Sequence, residues 1–164
     1  MTPDVWAAAR TSAKLLATGV QPNRAGVSFY AANYIDKISL GPVAGVNDID
    51  AIHPDEFKNE RNRGFIAAVE AALMSLERAV EKRKILVVIS DGIEGTSDRR
   101  QIAPLVERAR RSGIIILALH LQLADDPSDG AANMRALGEL GSFATASTPD
   151  ELVQRAEQLR DTLP

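Results

Sequence analysis

Apolar and polar positions divide the chain into helices and strands that take turns. Thr2 can cap free amide groups, and Pro3 suits a first helical position because its missing N–H would have had no partner there. Asp4 favours the positive helix end, so a helix is predicted from here to about Thr18, closed by Gly19. Pro22-Asn23 predicts a turn. A short β-rich run follows over Ala25 to Tyr30, then a hairpin partner strand over Tyr34 to Leu40, where apolar and polar residues alternate imperfectly. From Gly41 to Asn62 apolar residues are sparse among Pro42, Gly45, Asp48, Asp50, Pro54 and Asp55. This stretch reads as loop with a short helix near Asp48 to Ile52.

From Phe65 to Val80, the residues Ile66, Val69, Leu73, Leu76 and Val80 recur at three- and four-residue spacing, which predicts an amphipathic helix. The unbroken β-branched run Ile85 to Ile89 predicts a strand covered on both faces, as in the centre of a parallel sheet. A helix over about Arg99 to Ser112 ends at Gly113, and Ile114 to Leu119 forms a second doubly buried strand. The pattern continues with a helix over about Asp129 to Leu140, a strand over Phe143 to Ala146, and a last helix opened by Thr148-Pro149-Asp150-Glu151. There Thr148 and Glu151 have capping-box spacing. Strands and helices alternating in this way predict right-handed βαβ units. The expected fold class is therefore α/β: a doubly wound, mostly parallel, Rossmann-like open sheet with helices on both faces and one antiparallel edge hairpin. No repeat, linker or low-complexity tract divides the chain, so residues 1–164 read as a single domain.

Composition narrows the function classes. The 164 residues are 45% hydrophobic and 25% charged, enough to bury a sizeable core. A net charge of −3 and only 4% aromatic residues provide neither the basic field nor the stacking platforms of a nucleic-acid binder. The longest apolar stretches fall far short of the roughly 20 residues that span a bilayer. No apolar segment follows a basic N-terminus, so no signal peptide is visible, and a chain starting at Met1 is expected in the cytoplasm. The absence of cysteine excludes disulfides, thiolate zinc sites and thiol nucleophiles.

In open α/β sheets, ligands bind beyond the carboxyl ends of the strands. The run Ile85 to Ile89 leads there into Ser90-Asp91-Gly92-Ile93-Glu94-Gly95-Thr96-Ser97-Asp98, which places three acids and three hydroxyls in one loop. Oxygen-rich loops suit hard cations such as Mg²⁺, Mn²⁺ or Ca²⁺. The competing reading is that Asp91 and Asp98 only cap the loop and the next helix. After the second buried strand come His120 and then Asp125, Asp126 and Asp129. A lone His at a strand end reads as packing rather than as a ligand, and His53 lies in a loop. No Walker loop, Gly-x-Gly-x-x-Gly, Gly-x-Ser-x-Gly or His-Glu-x-x-His motif occurs. The basic runs Lys82-Arg83-Lys84 and Arg108-Ala109-Arg110-Arg111 read as solvated cations at helix C-termini.

Lys84-Ile85-Leu86-Val87-Val88-Ile89-Ser90-Asp91-Gly92, then Gly113 to Leu119, Met134-Arg135-Ala136-Leu137, Gly141-Ser142-Phe143 and Glu151-Leu152 resemble the von Willebrand factor A-type domain in order and spacing. Ala25-Gly26-Val27-Ser28-Phe29 and the helix through Ala71-Ala72-Leu73 fit the same template, so the resemblance covers nearly the whole chain. It implies a protein-interaction module with a metal-ion-dependent adhesion site at the carboxyl ends of the strands. In that family an Asp-x-Ser-x-Ser motif, a Thr from a second loop and an Asp from a third hold a divalent ion, and a partner's carboxylate completes the shell. Asp91 matches the third-loop Asp, with Ser90 and Glu94 beside it. The second-loop position holds Arg61-Asn62-Arg63-Gly64, where Asn62 is a neutral substitute and the arginines oppose a cation. The family's first strand and its Asp-x-Ser-x-Ser do not occur, and Met1 to Trp6 match the sequence that follows that motif.

The missing strand would lie between the strand at Val27 and the one at Val87, leaving unpaired backbone groups there. Three closures are open: direct pairing of those two strands, a strand swapped in a homodimer, or a strand from another protein. The first functional expectation is a non-enzymatic protein-interaction module with an incomplete metal-ion-dependent adhesion site, binding Mg²⁺ weakly or not at all. The alternative is an intact Mg²⁺-dependent adhesion domain whose first ligands lie upstream of Met1. A third is a small Mg²⁺-dependent hydrolase using Asp91, Asp98 and Asp125.

Overall fold

Helix α1 (Pro3–Gly19) starts as its first residues require. The Thr2 carbonyl accepts the Trp6 N–H at 3.0 Å, the Thr2 hydroxyl faces the Val5 N–H at 3.5 Å, and Pro3 occupies the first helical position. The computed structural model describes residues 2–19, 24–30, 34–52, 64–93, 101–122 and 128–162. Strands β1 (Arg24–Tyr30) and β2 (Tyr34–Pro42) pair antiparallel, from Arg24 opposite Pro42 to Tyr30 opposite Tyr34, with irregular register around Val27. The expected short helix near Asp48 is longer: a 3₁₀ segment spans Val43–Ala51 and buries Val46 and Ile49. Its length follows from what holds it. Arg10 Nη1 donates to the carbonyls of Asp50 (2.8 Å) and Ile52 (3.3 Å), and Lys14 pairs with the Asp50 carboxylate at 2.6 Å. Two cations of α1 thus meet the carbonyl-rich end of that segment, where the unpaired acceptors lie.

Helix α2 (Phe65–Glu77) buries Phe65, Ile66, Val69 and Leu73 as the periodicity predicts. It stops three residues short of the predicted Val80, which is 89% exposed. Glu77 closes it: its carbonyl faces Lys84 Nζ at 3.5 Å, and its carboxylate is held by the next helix. Strand β3 (Lys84–Ser90), helix α3 (Ile102–Arg111), strand β4 (Ile114–Leu121), helix α4 (Ser128–Gly138), strand β5 (Ser142–Ala146) and helix α5 (Pro149–Thr162) follow in the predicted alternation. Gly113, at φ +64°, ends the α3 turn in the left-handed conformation that costs other residues about 1–2 kcal/mol. At the start of α5 the Thr148 hydroxyl accepts the Glu151 N–H at 3.2 Å. The Glu151 carboxylate returns to the Ser147 N–H at 2.7 Å, one residue earlier than a standard capping box.

Strands β3, β4 and β5 form a parallel sheet in that order, Lys84 lying opposite Ile114 and Leu121 opposite Ala146. Even-numbered side chains of β3 and β4 (Leu86, Val88, Ile116, Ala118) pack with α2, α3 and α4. Odd-numbered ones (Val87, Ile89, Leu119, Leu121) pack with α1 and α5. This is the predicted α/β layering with helices on both faces. The antiparallel hairpin is present as expected, and it stands apart from the parallel strands. β1 and β2 form a separate two-stranded sheet, so among the described residues the run Ile85 to Ile89 is paired on one side, by β4. The central strand is β4, buried at seven of its eight positions, whereas Ile85, Leu86, Val87 and Ile89 remain half-buried. Among the described residues β1 and β3 do not pair directly.

The basic run at the end of α3 is not simply solvated. Arg108 grips Glu77 through two bonds, Nε to Oε1 at 2.8 Å and Nη2 to Oε2 at 2.6 Å, while Glu70 stands 3.4 Å from Nη1 and the Ser112 hydroxyl donates to Glu77 at 3.1 Å. The Arg108 hydrogen bonds hold the Glu77 carboxyl below its ordinary value of 4.5, and the Ser112 bond adds to the effect. A folded-state pKa below the unfolded one gives stability that is complete at neutral pH and lost as pH falls through the folded value. Glu77→Gln is expected to lower Tm at pH 7 and to flatten the loss of Tm between about pH 5 and 3. Melts across that range check it. Within α1, the Ser12 hydroxyl is fully buried and has no hydrogen-bond partner among the described residues. Ser12→Ala is expected to raise stability by about 0.5–1 kcal/mol, through helix propensity and removal of a desolvated hydroxyl. Chemical denaturation measures the change, and a fall would show that the hydroxyl is bonded.

Candidate functional site

The carboxyl ends of β3, β4 and β5 lie side by side because the parallel register aligns Ser90 with His120 and His120 with Thr145. Ser90, the last residue of β3, is buried, and its Oγ accepts the Gly92 N–H at 2.8 Å. Asp91 Oδ1 accepts the Ile93 N–H at 3.1 Å. The side chains of two successive residues therefore fold the loop back on itself, as short polar side chains do in turns. This is the capping role weighed for Asp91 from the sequence.

The loop is also fastened to α4. Asn133, a buried residue of that helix, donates from Nδ2 to the Gly92 carbonyl at 2.9 Å. Gly92 itself sits at φ +69°, and a Cβ there would run into the Gly130 carbonyl and the Met134 side chain. Only glycine fits both the dihedral and the space. Sequence reasoning did not single out Asn133. The one available signal was Gly130, a glycine inside a predicted helix, which marks a close approach.

Of the predicted site residues, the structure brings Ser90 and Asp91 together at the end of β3. Asn62 and Glu94 lie outside the described residues, as do His53, Asp98, Asp125 and Asp126, and Asp129 falls in the first turn of α4. Among the described residues, no three His, Cys, Asp or Glu side chains form a group that could hold a metal ion. A hard cation such as Mg²⁺ or Ca²⁺ takes six or more oxygen ligands. Two adjacent donors, each already accepting a backbone N–H, do not compose such a site. His120 is buried and stacks on Phe143, ring centroids 6.4 Å apart at 24°, with the Arg135 guanidinium over the other ring at 5.2 Å. It packs, as its isolation in the sequence implies. A hollow lined by Val5, Leu121, Gln122, Ala146, Thr148 and Leu152 offers about 10 Å³, room for one water molecule rather than an organic ligand.

The arrangement makes Gly92 the pivot of this edge. Gly92→Ala is expected to cost about 2 kcal/mol or more, since it combines left-handed strain with a backbone collision. The urea midpoint measures it, and a loss below about 0.5 kcal/mol would mean that the loop is not fastened as described.

No protein-family model matches the chain, and no curated protein does. Among solved structures it is similar to an aerotolerance-related membrane protein from Bacteroides fragilis NCTC 9343 carrying multiple mutations to serines. The TM-score is 0.71 at 15% identity, covering 96% of this chain and 89% of that one. It is also similar to the conserved hypothetical protein BatB from Bacteroides thetaiotaomicron, with a TM-score of 0.67 at 12% identity and the same two coverages. At these identities the likeness is one of fold: a sheet with helices on both faces, followed along nearly the whole chain.

Proposed function

We propose that the chain is a non-enzymatic protein-interaction module of the von Willebrand factor A type, with an incomplete metal-ion-dependent adhesion site. The observation that carries this reading is the pair of sheets that, among the described residues, do not hydrogen-bond to each other. Unpaired strand edges present rows of N–H and C=O groups, which are complementary to another polypeptide and to little else. The element order supports the same reading, and so does the fold likeness to the two Bacteroides proteins. At the crest, Ser90 and Asp91 serve the turn they sit in, which favours an adhesion site that does not depend on a resident cation.

Titration with Mg²⁺ tests this reading against its alternative. At about 10 mM Mg²⁺, above the millimolar range of weak oxygen-ligand sites, the Tm of the chain is expected to stay unchanged, and Asp91→Ala is expected to respond identically. A saturable rise in Tm that Asp91→Ala abolishes would instead establish a Mg²⁺-dependent adhesion domain. Mg²⁺-dependent phosphatase turnover lost in Asp91→Ala would contradict the non-enzymatic reading.

A further inference from the structure

Two large apolar side chains stand exposed among the described residues, and both lie at the end of α2: Met74 is 39% exposed and Val80 89%. Arg78 stands between them as the C-cap of the helix. Lys82 and Arg83 complete an exposed turn that leads into β3 at Lys84. The register that sets Lys84 opposite Ile114 brings the entry of β4 beside this turn, and with it Arg110 and Arg111 at the end of α3.

The acids along the same stretches are already taken. Arg108 holds Glu77, Arg110 and Arg111 flank Glu107, and Arg24 reaches the half-buried Glu81 at 3.4 Å. Arg78, Lys82 and Arg83 have no ion pair among the described residues, in a chain whose net charge is −3. The α2 dipole accounts for Arg78, but its field falls off within one turn, before Lys82 and Arg83. Three uncompensated cations around an exposed aliphatic side chain are complementary to an anionic layer with hydrocarbon beneath it. Nucleic acid fits less well, since neither the turn nor the end of α3 holds an aromatic ring on which a base could stack. A protein surface fits less well too, because lysine is depleted at protein interfaces and valine rarely carries their binding energy.

We infer that the turn from Arg78 to Lys84 is a docking surface for an anionic bilayer, where Arg78, Lys82 and Arg83 meet lipid phosphates and Val80 enters the boundary between headgroups and acyl chains. The contact is peripheral and salt-sensitive. One Lys or Arg near such a surface is worth roughly fivefold in partitioning, so three supply about a hundredfold, and burying the valine adds about tenfold. The turn enters β3 and Ser90 ends it, so docking this way points the crest away from the bilayer and leaves it free to meet a protein.

The test is co-sedimentation of the full chain with vesicles of phosphatidylcholine alone and of phosphatidylcholine with about one third phosphatidylglycerol, each at low salt and at about 0.15 M. Binding is expected to the anionic vesicles only, and weaker at the higher salt. It is expected to fall about a hundredfold when Arg78→Gln, Lys82→Gln and Arg83→Gln are combined, and about tenfold in Val80→Ser. All four positions are exposed, and circular dichroism with an unchanged Tm verifies that the variants fold. No binding to anionic vesicles at low salt would overturn the proposal, as would equal binding to both kinds of vesicle or binding that the triple variant retains. Single-stranded DNA or polyglutamate bound as tightly as the anionic vesicles, with Val80→Ser without effect, would also overturn it, by making the turn a plain anion patch for a nucleic acid or an acidic protein.

Discussion

A sheet's backbone groups must find partners on both sides of every buried strand, and among the described residues that requirement is met around β4 and not beside β3. Much of the architecture answers to this break. A two-stranded hairpin is at best marginally stable alone. β1 and β2 persist because Trp6, Ile49 and Ile52 give them a small core of their own, and because Arg10 and Lys14 tie the 3₁₀ segment to α1. The larger core on the opposite face is complete without them, drawing on α2, α3, α4 and the inward side chains of β3 and β4. The helices, rather than hydrogen bonds between strands, hold the two sheets as neighbours.

The same break sets the character of the crest. Ser90 and Asp91 end the strand that has only one partner, so their loop is steadied from the other direction, by Asn133 and the close approach of Gly92 to Gly130. Polar side chains that fasten a loop in this way are committed to its backbone N–H groups. An edge built so is firm and oxygen-bearing. The hollow lined by Leu121, Ala146 and Thr148 has no room for an organic ligand.

Elements whose residues answer to local rules were legible in the sequence. Thr2-Pro3-Asp4 and Thr148-Pro149 open helices as their capping chemistry demands, and Ile114 to Leu119 lies buried on both faces as an unbroken apolar run implies. The identical reasoning placed Ile85 to Ile89 at the sheet centre, and its open edge was expected only from the family resemblance, which put a missing strand between Val27 and Val87. Apolar character reports what covers a strand's faces and is silent about its edges, which backbone pairing decides. Val80 continued the α2 period but is exposed, because the end of that helix is set by Glu77 and its distant partner Arg108, 31 residues away. For the same reason Arg108 looked like a solvated cation. At the site, Ser90 and Asp91 were found from strand-end logic, while Asn133 was not, since its role exists only once α4 packs on the β3 loop.

Native-state hydrogen exchange of the chain alone is the most direct measurement of the central claim. The amides of β4, paired on both sides, are predicted to be the most protected, with alternate amides of β3 and β1, those pointing away from β4 and β2, exchanging faster by orders of magnitude. Uniform protection along β3 and β1, equal to that of β4, would show that the two sheets are already joined and would contradict the account.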